Sequence, residues 1–235
     1  MPRRHSSLVP AVALAACLAA AHSIEASTKV TFQADDGVSI AATLFEPSRR
    51  PAPAVVLVHA QTRNRHDWDA AGDQLADRGL TALAIDLRGH GESGGAADPS
   101  AMVRDVRAGV RYLLSRRDLA TPSIGIAGGS MGANLAVVAG VEEGVVRSLA
   151  LLSPGMDIHG VRTEAAMKKV GGRAVLLLAS RDDYYAVRSC GVLAQEVKGA
   201  LEFKIVDGTA HGTVMLSRVP ETLATLLDWF QRTLL

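Results

Sequence analysis

Cysteine is nearly absent from this chain: Cys17 and Cys190 are the only two in 235 residues, too few for a disulfide framework. No Cys/His pair has metal-ligand spacing, and no glycine-rich phosphate loop is present. An excess of one charge is lacking as well, with 25 basic against 24 acidic residues, so nothing points to nucleic acid or another polyanion as a partner. No repeat period is visible, and aromatic residues make up only 4% of the chain. What remains is 48% hydrophobic, which suits a sheet of Val, Leu, Ile and Ala under Ala- and Leu-rich helices. The length allows one large domain and is short for two.

The first residues read as an export signal. Pro2-Arg3-Arg4-His5 is a basic flank, and Leu8 to Ala21 is an apolar run too short to span a bilayer comfortably. Small residues at Ala19-Ala20-Ala21 and Ala21-His22-Ser23 suit signal-peptidase cleavage, so residues 1–23 are expected to be removed. Leu14-Ala15-Ala16-Cys17 also resembles a bacterial lipobox, in which Cys17 would be lipidated and become the mature N-terminus. Either route predicts an exported protein, periplasmic or extracellular, released or tethered through Cys17, with no transmembrane span after processing. Cys190 is then the one remaining thiol, expected to be a small buried residue of a helix.

Beyond the leader, Thr28–Gln33 and Val38–Phe45 are β-rich runs joined by Ala34-Asp35-Asp36-Gly37, a hairpin signal. Six short apolar runs follow, at 54–59, 80–86, 123–127, 148–152, 174–179 and 201–206. They are too continuous for strands with one wet face and read as strands buried on both sides. Helical patterns lie between them, over 99–115, 131–141, 186–197 and 220–234. The first places Met102, Val106, Val110 and Leu113 on one stripe, with Asp98 as N-cap and Pro99 at the first helical position. Strand alternating with helix predicts an open, mostly parallel eight-stranded sheet with helices on both faces. Sites in such sheets lie at the carboxyl ends of strands, so chemistry is sought just after each run.

Gly128-Gly129-Ser130-Met131-Gly132 follows one such run and opens a helix. A nucleophile on so sharp a turn has its neighbours two positions away pressed together, and here both are Gly. The following helix turns its positive end toward the site, as a developing oxyanion requires. A serine hydroxyl needs a base to take its proton, and His211 lies in the loop after the last apolar run. The base needs an acid to hold its tautomer. Asp182 and Asp183 both follow the run at 174–179, and Asp157 is a possible substitute after the run before it. His59, His66, His90 and His159 lie earlier in the chain and do not follow the last strand.

On these residues the chain resembles the α/β-hydrolase superfamily, and most its small dienelactone-hydrolase-like and esterase branches. The landmarks are Val58-His59-Ala60-Gln61, the segment Asp86 to Ser93, the elbow at Ser130, and the pair Asp183/His211. In that family the acid commonly stands three residues after a small residue at the strand end. Counting from Ser180 selects Asp183, with Tyr184 where proline often stands. The resemblance also implies an oxyanion hole from the amides of Met131 and Gln61. The family usually has His-Gly where this chain has His59-Ala60, so Ala60 must avoid strongly positive φ if Gln61 is to serve. Arg88 to Ser93 is expected to shape a loop, while Arg63, Arg65 and Trp68 are read as solvated loop charge and helix packing rather than substrate contacts.

The implied reaction is two-step acyl transfer on a small-molecule ester through Ser130, His211 and Asp183, with no metal or organic cofactor. Ser153 to Arg162 is too short for a folded cap, and an open site suits short or accessible acyl groups. A peptidase of the same fold and a non-catalytic hydrolase-like binding protein are the alternatives; a binding protein would typically lack one of the three residues.

Overall fold

The computed structural model describes residues 27–235 apart from Asp118, so the leader and the Cys17 lipobox lie outside the described residues. Eight strands form one sheet: β1 (Thr28–Gln33), β2 (Ser39–Phe45), β3 (Ala52–Val58), β4 (Thr81–Ile85), β5 (Leu119–Gly129), β6 (Val146–Leu152), β7 (Ala174–Ser180) and β8 (Leu201–Val206). Their spatial order is β1-β2-β4-β3-β5-β6-β7-β8. Only the pairings of β2 with β1 and with β4 are antiparallel; from β4 onward every pairing is parallel. The expected open, mostly parallel eight-stranded sheet is what forms. The first hairpin closes as the Asp-Gly signal predicts, with the Gly37 amide donating to Ala34 O at 2.9 Å.

Five of the six apolar runs are buried on both faces by what covers them; the run at 201–206 is not, because β8 is the edge strand and leaves Leu201, Phe203 and Ile205 exposed. Val56 and Val58 of β3, with Leu83 and Ile85 of β4, pack on one face under α2 (Met102–Ser115), α3 (Met131–Glu142) and α5 (Tyr184–Ala194). Val55, Leu57, Ala82 and Ala84 point the other way, toward α1 (Asp69–Asp77), α6 (Val214–Arg218) and α7 (Pro220–Leu234). Alternation along a strand sends successive side chains to opposite faces, so a strand covered twice is apolar throughout. α2 buries the predicted stripe Met102, Val106, Val110 and Leu113, and α7 buries Leu226, Leu227, Phe230 and Leu234, with Leu223 half-buried.

Boundaries differ in three places for local reasons. α2 starts at Met102 rather than Pro99, because the Asp98 side chain accepts from the amide and hydroxyl of Ser100 and closes a separate turn first. α5 starts two residues early, at Tyr184, because Asp183 caps it by accepting from the Ala186 amide at 3.2 Å. The segment between β3 and β4, outside the expected helical patterns, contains α1. Between β6 and β7 the chain makes only a two-residue hairpin, Asp157–Ile158 against Val161–Arg162, and one helical turn, α4 (Glu164–Met167). Among the described residues no cap domain stands over the carboxyl ends of the strands. Cys190 is buried in α5, where burial pushes its thiol up to about 12, so it is protonated and unreactive. Among the described residues no helix is long and apolar enough to cross a membrane.

Candidate active site

Ser130 stands between β5 and α3 with φ 53° and ψ −117°, a conformation that L-residues adopt only under constraint. Its flanking glycines are required by contact. A Cβ on Gly128 would lie 2.1 Å from Gly132 O, and one on Gly132 would lie 2.4 Å from His59 O and 2.5 Å from Val58 O. Any side chain at either position would drive into backbone. The elbow is therefore a close junction of β3, β5 and α3, and it leaves the serine hydroxyl at the carboxyl edge of the sheet.

His211 and Asp183 arrive from the ends of β8 and β7. His211 Nε2 is 2.8 Å from Ser130 Oγ, and His211 Nδ1 is 2.6 Å from Asp183 Oδ2. A carboxylate only accepts, so Nδ1 carries the proton and Nε2 is left to accept from the serine hydroxyl. Asp182, the neighbouring alternative, makes no hydrogen bond to His211; its amide donates to Gly208 O. Asp157, the other alternative, is held by Arg162 at 2.9 Å in the hairpin before α4. Such a line of three can draw the proton from Ser130 as its oxygen attacks.

Ala60 is absent from the residues with positive φ, while Thr62 adopts φ 60°. The sharp bend falls two residues later than the His-Gly pattern suggests, so alanine is tolerated and the Gln61 amide stays free of any hydrogen bond among the described residues. His59 fixes this loop from beneath. Its Nε2 accepts from the Leu87 amide at 3.0 Å, so its Nδ1 donates to Ala60 O at 2.7 Å. Burial pushes His59 down to about 4, which keeps the ring neutral for both bonds.

Several supporting contacts were not visible in the sequence. Arg65, read there as solvated loop charge, is 1% exposed and pairs with the fully buried Asp86. That carboxylate also accepts from the amides of Arg65 at 2.7 Å and Glu92 at 2.9 Å. Trp68 is buried, as expected of packing; Arg63 is partly exposed and lies 2.8 Å from Asp67. Asp67 in turn accepts from the Thr213 hydroxyl, two residues beyond His211, and so links the loop after β3 to the histidine loop. Burial works to raise the Asp67 carboxyl, but hydrogen bonds from Arg63 and Thr213 outweigh it and hold it below its ordinary value. The histidine loop is further tied by Ser153, which accepts from the Gly212 amide at 3.1 Å, and by Ser180, which donates to Ala210 O. The one available signal for these two was position, since each is a small polar residue at a strand's carboxyl end.

The sequence profile of the family described as serine aminopeptidase S33 matches residues 49–215, most of the chain and every residue of the line described above. The chain belongs to this family of α/β hydrolases. A monoacylglycerol lipase of Mycolicibacterium smegmatis is 28% identical to the hydrolase over 134 residues, 55% of this chain and 47% of the relative. The hydrolase thus spans about half the length of that curated relative. Among solved structures, an esterase of Pyrococcus furiosus superposes with a TM-score of 0.75 at 18% identity, covering 89% of this chain and 91% of that one. A dienelactone hydrolase of Anabaena variabilis gives 0.74 at 17% identity, covering 89% and 99%. At these identities the likeness is one of fold.

Proposed function

We propose that this α/β hydrolase cleaves carboxylic esters through an acyl-enzyme on Ser130. The observation that carries the reading is the unbroken line from Ser130 Oγ through His211 to Asp183 at an elbow held in positive φ. In the first step Ser130 Oγ attacks the ester carbonyl while His211 takes its proton. His211 then returns that proton to the leaving alcohol. Water, deprotonated by the same imidazole, releases the acid and restores the serine. Asp183 holds the imidazole in the tautomer required, and the amides of Met131 and Gln61 receive the developing oxyanion. The monoacylglycerol lipase among the similar proteins supports ester over amide cleavage. The family description favours the peptidase as second reading, and aminoacyl 4-nitroanilides beside matched esters separate the two. Labelling by a fluorophosphonate probe, lost in Ser130→Ala, tests the nucleophile; an unlabelled native protein sinks the proposal and leaves a binding module.

With no cap over the strand ends among the described residues, the substrate reading is a short or accessible acyl ester. On a panel of p-nitrophenyl esters, activity is expected to peak at short chains; a steady rise toward long chains defeats it. The basic flank and apolar run before the domain support export, released or tethered through Cys17. Mass spectrometry of the mature N-terminus is expected to find residues 1–23 removed, or a diacylated Cys17; an intact Met1 start rules out both.

A further inference from the structure

The sheet has two open edges, and they are not alike. At one end β1 shows solvent Thr28, Lys29, Thr31 and Gln33, while its apolar residues turn inward and Phe32 stacks on Tyr112. At the other end β8 exposes Leu201 at 42%, Phe203 at 38% and Ile205 at 39%. Exposed edges in folded proteins are normally guarded by charge, proline or a bulge. β8 carries charge, but on its other face. Glu202 pairs with Arg232 of α7 at 2.6 Å, and Lys204 donates to Thr225 of the same helix at 2.9 Å.

The backbone direction sharpens the contrast. Ala200 O accepts from the Val175 amide and Val206 O from the Arg181 amide, which turns the even-numbered residues of β8 toward β7. In a parallel pair a residue's N–H and C=O point the same way, and the next residue's point oppositely. The free N–H and C=O groups on the open edge therefore belong to Leu201, Phe203 and Ile205, the three residues whose side chains are also exposed and apolar.

We infer that β8 pairs antiparallel with β8 of a second copy, about a two-fold axis through Phe203, to join the two sheets into one. This register sets Phe203 opposite its own copy and Leu201 opposite Ile205, each a pair that exchanges both backbone hydrogen bonds. Glu202 then stands opposite Lys204 of the other copy on both sides of the axis. These are the non-hydrogen-bonded pairs, where opposed Cα atoms approach to about 4.5 Å and side-chain pairing is closest. Leu-Glu-Phe-Lys-Ile is thus complementary to itself in charge and in apolar face when reversed, as an isologous contact requires. The copies' apolar rows would lie side by side, each side chain covering part of its cross-strand neighbours, and the charged row would lie along the two α7 helices.

Sedimentation equilibrium on the purified protein tests this. The native chain is expected to associate to a dimer. Glu202→Lys alone and Lys204→Glu alone each set like charges opposite one another twice, and should weaken association by about tenfold or more. The double reversal Glu202→Lys/Lys204→Glu restores opposite charges and should restore the dimer. Hydrogen exchange adds a readout that a dimer through any other surface would not give. Amides of Leu201, Phe203 and Ile205 should gain protection as concentration rises, while those of Glu202 and Lys204 stay protected throughout by β7. A native protein that remains monomeric at about 100 µM overturns the inference, and so does a dimer indifferent to the single reversals.

Discussion

Ser130→Ala is expected to lower kcat toward esters by about 10⁵-fold while the protein folds and melts as before. The hydroxyl is removed without a cavity or an orphaned charge, and the residual rate is that of water assisted by the oxyanion donors. His211→Ala should cost about as much, and the double variant little more than either, because the two groups act as one unit. Asp183→Asn separates the two adjacent carboxylates. His211 Nδ1 lies 2.6 Å from Asp183 Oδ2, so an amide there favours the wrong tautomer and should cost about 10⁴-fold, while Asp182→Asn should change little. Equal losses from both asparagine variants, or an active Ser130→Ala enzyme, would refute the assignment. The measurement is initial rates on a soluble ester, with melting temperature as the check on folding.

Asp86→Ala is expected to cost about 3–5 kcal/mol of stability, a large share of the ~5–15 kcal/mol that holds a domain together. The carboxylate is fully buried, pairs with the buried Arg65 and accepts two backbone amides, so its loss leaves two donors unpaired and the guanidinium with only the half-exposed Glu92 at 3.1 Å and the Thr43 hydroxyl as partners. Urea unfolding at neutral pH reads the change as a lower midpoint with an unchanged slope. Removing both charges, in Asp86→Leu/Arg65→Met, should recover part of the loss, because the buried guanidinium that has lost its buried partner goes even though the amides stay unpaired. A midpoint within about 0.5 kcal/mol of native would mean that water reaches Arg65 and the pair is not holding the loop.

The same pair marks where the sequence stops being legible. Ser130 and its glycines could be read directly because their constraint is local: Gly128, Ser130 and Gly132 are neighbours along the chain and collide through space. The central strands were legible for a similar reason, since burial on both faces leaves an unbroken apolar run; β8, at the sheet edge, is exposed at alternate residues and breaks that rule. Arg65 and Asp86 are 21 residues apart, and nothing in either local pattern says that they face each other. The bridge from Asp67 to Thr213 spans 146 residues and is hidden in the same way. Ala60 shows a different limit. The chain relocated its sharp bend to Thr62, and a residue that takes positive φ without being glycine leaves no mark in the sequence. Asp183 was selected over Asp182 by its distance from Ser180, as the family resemblance implies, and it is Asp183 that lies 2.6 Å from His211.

The hairpin before α4 bears on how such an enzyme could diversify. Its tip is His159-Gly160, with φ of 51° and 84°, and the turn projects into solvent from strands only two residues long. Asn134 grips the base of this connection from inside, donating to Val161 O and accepting from the Gly155 amide. New sequence grafted at the tip would be insulated from Ser130 by that grip, since exposed turn tips tolerate insertion. A lid could be acquired there in one event, changing which substrates are admitted without re-evolving the chemistry beneath.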